Sequence, residues 1–286
     1  MTRRRLRLRT VLVTAVAAAG SAACVAVPLV PAGAVTNPVA TSPAAATTLT
    51  GGFVPAIGLR TAPRALPERL THLGSSSQVI VVQAANWATS HASLVAWQKS
   101  PDGTWHRVLD RVPARLGWNG FAWASRRVQN SGETPAGTFR LLRGFGIVRP
   151  PGVSLRYRVV DASDWWPYDP HDPSTYNVLQ PSRPRSARWR TSWAEHLATY
   201  RMQYRFAVVL DYNLPGGVHL DGRQRVAAEP ANTHKGGGIF LHVNGDGATA
   251  GCVSVTRPVM RAIVRWLDPT ARPRIVMGPA SQLTHL

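Results

Sequence analysis

Short apolar runs separated by turn-forming residues dominate the chain from about residue 66 onward. Runs of this kind, rich in β-branched and aromatic residues and bounded by Gly, Pro, Asn or Asp, are typical of β-strands. The pattern predicts strands at residues 79–83, 93–98, 105–109, 137–142, 155–160, 206–212, 238–243 and 274–277. We therefore expect a mainly β domain.

One segment has helical spacing instead. After Thr256, apolar residues recur at i, i+3, i+4 and i+7, namely Met260, Ile263, Val264 and Leu267. This spacing places them on one face of a helix. Pro258 near the start and Pro269 beyond the end fit as boundaries. We find no internal repeat, so the sequence predicts a single mainly β domain with minor helix over residues 66–286.

The N-terminus has the three parts of an export signal. Five arginines lie within residues 1–9, an apolar stretch covers residues 11–30, and small residues lead to Ala34. A positive start, an apolar middle and a small-residue exit are typical of a secretory signal peptide, which we assign to residues 1–34. The alternative is an uncleaved membrane anchor. We expect an exported, extracytoplasmic protein that stays membrane-tethered if the signal is not cleaved.

Residues 35–65 are rich in Ala, Thr and Pro and show no sustained period, so we interpret them as a flexible linker. The following region, residues 66–114, is either a small separate β module or the first strands of the main domain. We favour the second interpretation.

The net charge of +19 is unusually high for 286 residues. Removal of residues 1–34 takes away five arginines and no acid, which leaves +14. A strongly basic exported protein is attracted to anionic polymers. Because export separates it from nucleic acid, we predict an anionic cell-wall surface as the partner. The alternative is that the excess of arginine partly reflects the codon composition of the gene, since lysine is nearly absent.

The chain has two cysteines, Cys24 and Cys252, and the first lies inside the predicted signal peptide. A mature chain with Cys252 alone cannot form an internal disulfide. A single retained thiol is unusual in an oxidising compartment. Cys252 is therefore either a reactive nucleophile or a buried, inert side chain, and its neighbours must decide.

The residues around Cys252 favour a nucleophile. A glycine-rich turn at residues 236–238 leads into a short apolar strand that ends on His242, and a small-residue loop then leads to Gly251 and Cys252. A strand end, a loop and a strand start bring His242 and Cys252 together. Because a thiol of pKa near 8.5 is only a few per cent thiolate at neutral pH, an adjacent imidazole is needed to take its proton. Gly251 lets backbone approach a substrate carbonyl, whose oxyanion nearby amides can bind.

His234 is a rival base, eighteen residues before Cys252. It precedes the glycine turn rather than ending a strand. A base must be held rigidly within hydrogen-bond reach, so we favour His242.

The acidic residues of segment 161–172 lie among prolines and are interpreted as turn caps. His219 has no partner at metal-ligand spacing. We predict no metal and no cofactor.

Two stretches around the proposed pair carry a family resemblance. Gly-Ile-Phe-Leu-His at residues 238–242, followed by Thr-Ala-Gly-Cys-Val at residues 249–253, resembles the signature of the L,D-transpeptidase catalytic domain family (YkuD-like), in a short-gap variant. Residues 132–139 and 208–213 are similar to other parts of that domain. The resemblance covers about residues 115–280.

The resemblance implies a β-sandwich-like fold that acts on peptidoglycan stem peptides without a cofactor. By the same resemblance, Cys252 is the nucleophile, His242 the general base and acid, Gly251 shapes the oxyanion site, and Thr249 is the small hydroxyl residue before it. The thioester formed on the cysteine passes to an amine of a neighbouring stem or to water. No protein partner is implied.

The chain departs from the family's longer motif in three ways. The gap between base and nucleophile is shorter, Ala250 stands where a second histidine is frequent, and Ser254 stands where arginine or asparagine is frequent. These departures leave the acceptor open. The alternatives are an L,D-carboxypeptidase, which passes the thioester to water, and a non-catalytic basic wall-binding protein.

Overall fold

The computed structural model describes residues 64–286. The predicted signal peptide, residues 1–34, and nearly all of the predicted linker, residues 35–65, lie outside this range. Within it, every helix is too short or too polar to cross a membrane.

Residues 64–286 contain fourteen strands, one α-helix and six short 3₁₀ turns. The strands are β1 (Gln78–Ala84), β2 (His91–Lys99), β3 (Trp105–Arg115), β4 (Phe121–Trp123), β5 (Thr134–Gly146), β6 (Tyr157–Val159), β7 (Trp165–Pro167), β8 (Ala194–His196), β9 (Ala207–Leu210), β10 (Gly216–Asp221), β11 (Gln224–Glu229), β12 (Phe240–Val243), β13 (Val253–Val255) and β14 (Arg274–Pro279). The helix is α1 (Arg257–Trp266). The 3₁₀ turns are Leu66–Arg69, Thr191–Trp193, Leu197–Thr199, Gln203–Arg205, Pro269–Ala271 and Leu283–His285.

The main sheet closes on itself. Its strand order is β14-β1-β2-β3-β13-β12-β9-β5-β4, and β6 also pairs with β5. Because β14 pairs with β1 on one side and with β5 on the other, the sheet forms a barrel-like ring. Two small sheets, β10-β11 and β7-β8, lie apart from it. The predicted mainly β class with minor helix is confirmed.

Each predicted strand overlaps an observed one and differs from it at its ends, whereas five observed strands were not predicted: β4, β7, β8, β10 and β11. β3 continues to Arg115, well past the predicted end at residue 109, and most of its side chains are exposed or half-buried. An exposed strand lacks the alternation of apolar and polar positions on which the prediction depends. Strands β1 to β3 lie in the ring between β14 and β13, so residues 78–115 share the sheet that carries the candidate site.

The inside of the ring is the main hydrophobic core. On β9, Val208 and Leu210 point into it, while Ala207 and Val209 point outward. Such alternation follows from the two-residue period of a strand. Helix α1 packs on this core through Met260, Ile263 and Val264, and the fourth predicted residue, Leu267, packs there just after the helix ends; all four are at most 2 % exposed.

A second apolar cluster covers the outer face of β5, β9 and β12. It contains Phe145, Trp166, Phe240 and Cys252, and residues from the segment 160–206 contribute to it. That segment has few hydrogen-bonded strands, but it covers the sheet where the ring would otherwise face solvent. Cys252 therefore lies on the outer face of the sheet, under an irregular cover.

Candidate active site

Two adjacent parallel strands place the predicted pair. β12 and β13 are in register with Leu241 opposite Val253 and His242 opposite Ser254. By continuation Cys252 lies opposite Phe240, whose amide donates to the Cys252 Sγ at 3.4 Å. Laterally paired residues of a parallel sheet point to the same face. Cys252 and His242 therefore share the outer face, two positions apart along neighbouring strands.

The loop between the two strands is tied down at several points. The Arg115 guanidinium donates to the Gly245 carbonyl at 2.6 Å, and the Ser254 hydroxyl donates to Asn244 Oδ1 at 2.8 Å. Thr249 forms a β-bridge with Gly117, two residues after the end of β3. These contacts hold the short loop that connects the parallel strands β12 and β13. Parallel neighbours normally need a long crossover connection.

The Cys252 side chain is 9 % exposed. Its Sγ donates to the Gly238 carbonyl oxygen at 3.2 Å. Burial raises the pKa of the thiol to about 12, and the nearby Glu195 carboxylate adds to the effect. In this resting arrangement the proton is therefore on the sulfur.

The His242 imidazole is 6 % exposed and is fixed by its own strand. Its Nδ1 lies 2.8 Å from the Val243 carbonyl oxygen. Because a carbonyl oxygen only accepts, Nδ1 carries the hydrogen and Nε2 keeps a free lone pair. Burial lowers the pKa of His242 to about 4, so the ring is neutral at neutral pH. The Cys252 thiol and the neutral His242 imidazole thus face the same side of the sheet, and the thiol donates to the Gly238 carbonyl rather than to His242.

The turn before Cys252 depends on the predicted Gly251 and Thr249. The Thr249 hydroxyl donates to the Cys252 carbonyl at 2.6 Å and accepts from the Gly251 amide at 3.1 Å. Gly251 has φ +140°, a backbone conformation that side chains disfavour. A Cβ there would lie 2.8 Å from the Glu133 carbonyl oxygen. Thr249 thus closes the turn that presents Cys252, and Gly251 leaves room for it.

We expect Gly251→Ala to lower the free energy of unfolding by about 1–3 kcal/mol, because the added Cβ meets backbone at a strained φ. Gly247→Ala is the matched control in the same loop, since a Cβ at Gly247 meets no atom within 4 Å. Urea unfolding of both variants measures the difference. Equal stability of the two variants would contradict the steric argument.

Arg127 is a buried residue of the site that sequence analysis missed. It is 4 % exposed. Its guanidinium donates to the Glu133 carbonyl at 2.6 Å and to the Lys235 carbonyl at 2.7 Å, and its Nη2 lies 3.5 Å from the Ala250 carbonyl. Arg127 therefore joins three segments around Cys252, and its positive charge lowers the thiol pKa, against the effect of burial. One arginine among many gives no sequence signal, because its partners are backbone carbonyls and two of them, those of Lys235 and Ala250, are more than 100 residues away along the chain.

Two buried or partly buried asparagines hold the glycine turn before β12. Asn177 Oδ1 accepts from the Gly238 amide at 2.8 Å and from Trp166 Nε1 at 2.9 Å. Asn213 Nδ2 donates to the Gly236 carbonyl at 2.6 Å. Together they orient Gly238, whose carbonyl oxygen binds the Cys252 thiol.

A carboxyl group and two tyrosines lie next to the pair. The Tyr204 hydroxyl donates to Glu195 Oε2. The Tyr204 ring packs edge-on against the His242 ring, with 5.6 Å between the ring centroids. The Tyr168 hydroxyl is buried without a hydrogen-bond partner among the described residues. Burial raises the pKa of Glu195 to about 7. Sequence analysis missed this cluster, because β8 and the turn Gln203–Arg205 are too short to show a pattern.

The raised pKa of Glu195 makes a testable contribution to stability. The folded state holds the proton up to about pH 7, whereas the unfolded state releases it near pH 4.5. Between these values the folded state binds more protons, so this contribution to stability falls as pH rises. A glutamine at this position does not titrate, so the variant lacks this pH-dependent contribution. The free energy of unfolding of Glu195→Gln, relative to that of the wild-type protein, should therefore rise by about 3 kcal/mol between pH 4.5 and pH 7, as measured by urea unfolding.

His242 supplies a control of opposite sign. Its pKa is lowered from 6.5 to about 4, so wild type loses this stability as pH falls through that window. Relative to wild type, His242→Gln should lose stability as pH rises from 4 to 6.5. A pH-independent difference for both variants would contradict the burial of these groups.

The remaining predicted residues lie elsewhere. His234 is exposed on the turn before Gly236, and its amide donates to Asn232 Oδ1. In the acidic segment, Asp164 pairs with Arg158 at 2.7 Å and Asp169 with Arg190 at 2.8 Å. Within residues 64–286 no group of three or more His, Cys, Asp or Glu side chains is arranged to hold a metal ion.

One comparison with known proteins gives a match. A family model described as YkuD, L,D-transpeptidase catalytic domain, matches residues 104–276, more than half of the chain. The matched range includes Cys252, His242, Thr249 and Gly251, whereas β1 and β2 precede it. No curated protein matches the chain.

Proposed function

The chain belongs to the L,D-transpeptidase catalytic domain family, and from this premise we propose that it is an exported peptidoglycan L,D-transpeptidase with Cys252 as nucleophile. The family acts on peptidoglycan stem peptides. The observation that carries the proposal is that Cys252 and His242 lie on the same outer face of the sheet, two positions apart on neighbouring strands, with His242 Nε2 free to accept a proton.

The first half-reaction forms a thioester. His242 Nε2 takes the proton of the Cys252 thiol as the sulfur attacks the carbonyl carbon of the L,D peptide bond. Negative charge then develops on the carbonyl oxygen, and backbone amides at the Gly251 turn are the proposed donors to it. When the tetrahedral intermediate collapses, the C–N bond breaks, and the leaving D-alanine nitrogen receives the proton from His242.

The second half-reaction releases the thiol. An amine of a neighbouring stem attacks the thioester carbon, its proton passes to His242, and the C–S bond breaks as the sulfur takes the proton back. The products are a new amide and the free Cys252 thiol. Water in place of the amine yields a shortened stem and makes the enzyme an L,D-carboxypeptidase.

The neutral resting pair suits this sequence of steps. Because burial disfavours both the thiolate and the imidazolium, the two charges form only together, as the proton moves. The positive Arg127 guanidinium favours the thiolate. Nucleophile activation is thus coupled to substrate attack, which protects the thiol from side reactions at rest.

The test is mass spectrometry of a disaccharide-tetrapeptide incubated with the purified protein. Loss of D-alanine together with cross-linked dimers supports the transpeptidase, and tripeptide alone supports the carboxypeptidase. An unchanged tetrapeptide would contradict both activities and leave either a family member with a different substrate or a non-catalytic wall-binding protein. Cleavage at Ala34, which N-terminal sequencing of the exported protein reveals, tests the signal peptide.

A further inference from the structure

A groove of about 620 Å³ lies between helix α1 and the loop at residues 148–151. Five arginines line it, and we call it the arginine groove: Arg149, Arg205, Arg257, Arg261 and Arg265. Its other lining residues are apolar or proline. The groove lies apart from Cys252 and His242, neither of which lines it.

Helix α1 sets out three of these arginines in a row. Arg257, Arg261 and Arg265 follow one another at intervals of four residues, and all three are exposed. Four residues of α-helix rise about 6 Å, so the three side chains start at steps of about 6 Å along one line. The opposite face of α1 is buried in the core.

The arginine groove has no counter-charge. Among residues 64–286, no ion pair involves any of its five guanidinium groups. Their one side-chain hydrogen bond in this range runs from Arg149 Nη2 to the Val153 carbonyl at 3.3 Å. None of the chain's 14 acidic residues lines the groove. Five like charges around one concave surface repel one another, and an anion in the groove would relieve that repulsion.

We propose that the arginine groove binds a linear polymer that carries repeated phosphate groups. Guanidinium groups bind phosphate through paired N–H donors, and their planar shape suits this ligand better than lysine does. A row of three arginines along the helix matches a ligand whose anionic groups repeat along a chain. The arginines at residues 149 and 205 flank the row and add donors outside the helix.

The lining residues favour a polymer over a membrane surface. Helices that bind in the plane of a membrane expose large apolar side chains beside their basic residues. The large apolar side chains that are exposed in residues 64–286 all lie outside the arginine groove. The large apolar residues of α1, among them Met260, Ile263 and Val264, instead pack in the core.

The test uses long-chain inorganic polyphosphate as the probe and isothermal titration calorimetry at 50 and 200 mM salt. The groove variant is R257Q/R261Q/R265Q. The matched control removes the same charge from three exposed arginines that do not line the groove, as R183Q/R185Q/R188Q. We expect the groove variant to bind about tenfold more weakly or worse at 50 mM salt, with a shallower salt dependence. The control should stay within about twofold of wild type.

Equal weakening in both variants would overturn the proposal, because net charge alone would then explain binding. If the groove variant bound polyphosphate as tightly as the wild-type protein does, the proposal would also be overturned. The wild-type protein could also bind phosphatidylglycerol vesicles more tightly than polyphosphate, with this binding lost in the groove variant. That result would overturn the proposed polymer ligand in favour of a membrane surface. The variant R257K/R261K/R265K keeps the positive charges, and its affinity for polyphosphate should lie between those of the wild-type protein and the groove variant. It preserves the test if the glutamine variant unfolds. D-alanine release by these variants should be unchanged, so failure here is distinct from failure of the proposed activity.

Discussion

Replacement of Cys252 by alanine should abolish release of D-alanine from a stem tetrapeptide, with a loss in kcat on the order of 10⁴-fold or more. The reason is chemical, because without the sulfur no thioester forms. The Ser254 hydroxyl, which lies on the same face of β13, donates instead to Asn244 Oδ1. Cys252→Ser is the closer replacement in size. A hydroxyl of much higher pKa beside a neutral imidazole should leave it nearly as inactive.

The measurement is D-alanine release by mass spectrometry at matched protein concentration. Cys24→Ala removes the other cysteine of the chain and should retain full activity. Unfolding in urea shows whether each variant is folded, since Cys252 is buried in the outer cluster. Wild-type turnover by a folded Cys252→Ala protein would contradict the nucleophile assignment.

Replacement of His242 by glutamine should lower kcat by about 10²–10⁴-fold, because the Cys252 thiol then loses the base that takes its proton. Glutamine fills much of the same space but has no basic lone pair at neutral pH. With a thiol pKa raised to about 12, Cys252 alone is almost entirely protonated at pH 7. Alkylation of Cys252 by iodoacetamide, followed on its own peptide by mass spectrometry, should slow in the same variant.

His234→Gln is the matched control. His234 is the rival base eighteen residues before Cys252, but it is exposed on the turn before the glycines. Its replacement should change neither turnover nor alkylation. The wild-type enzyme should also keep its activity as pH falls to about 5, since the pKa of His242 is lowered to about 4 and the base stays neutral. Loss of activity in His234→Gln with full activity in His242→Gln would reverse the assignment.

The sequence determined the fold class and the chemistry of the proposed pair. The strand pattern and the single helix after Thr256 followed from local periodicity, since burial on one face repeats every two residues in a strand and every three to four in a helix. His242 and Cys252 stood out because both lie in one short stretch between a glycine turn and a strand. The signal peptide and the linker remain predictions, as they lie outside the described residues.

The tertiary structure alone decided what surrounds that pair. Closure of the sheet through β14 brings β1 to β3 beside β13, and nothing in their local pattern specifies these partners. Arg127, Asn177 and Glu195 come from segments roughly 55 to 125 residues before Cys252 and meet it only because irregular chain covers the outer face. Their contacts are with backbone carbonyls, amides and tyrosine hydroxyls, whose positions depend on the whole fold. Burial, and with it the neutral state of His242 and Cys252, is likewise a property of the packed protein, because desolvation depends on residues that are neighbours in space rather than along the chain.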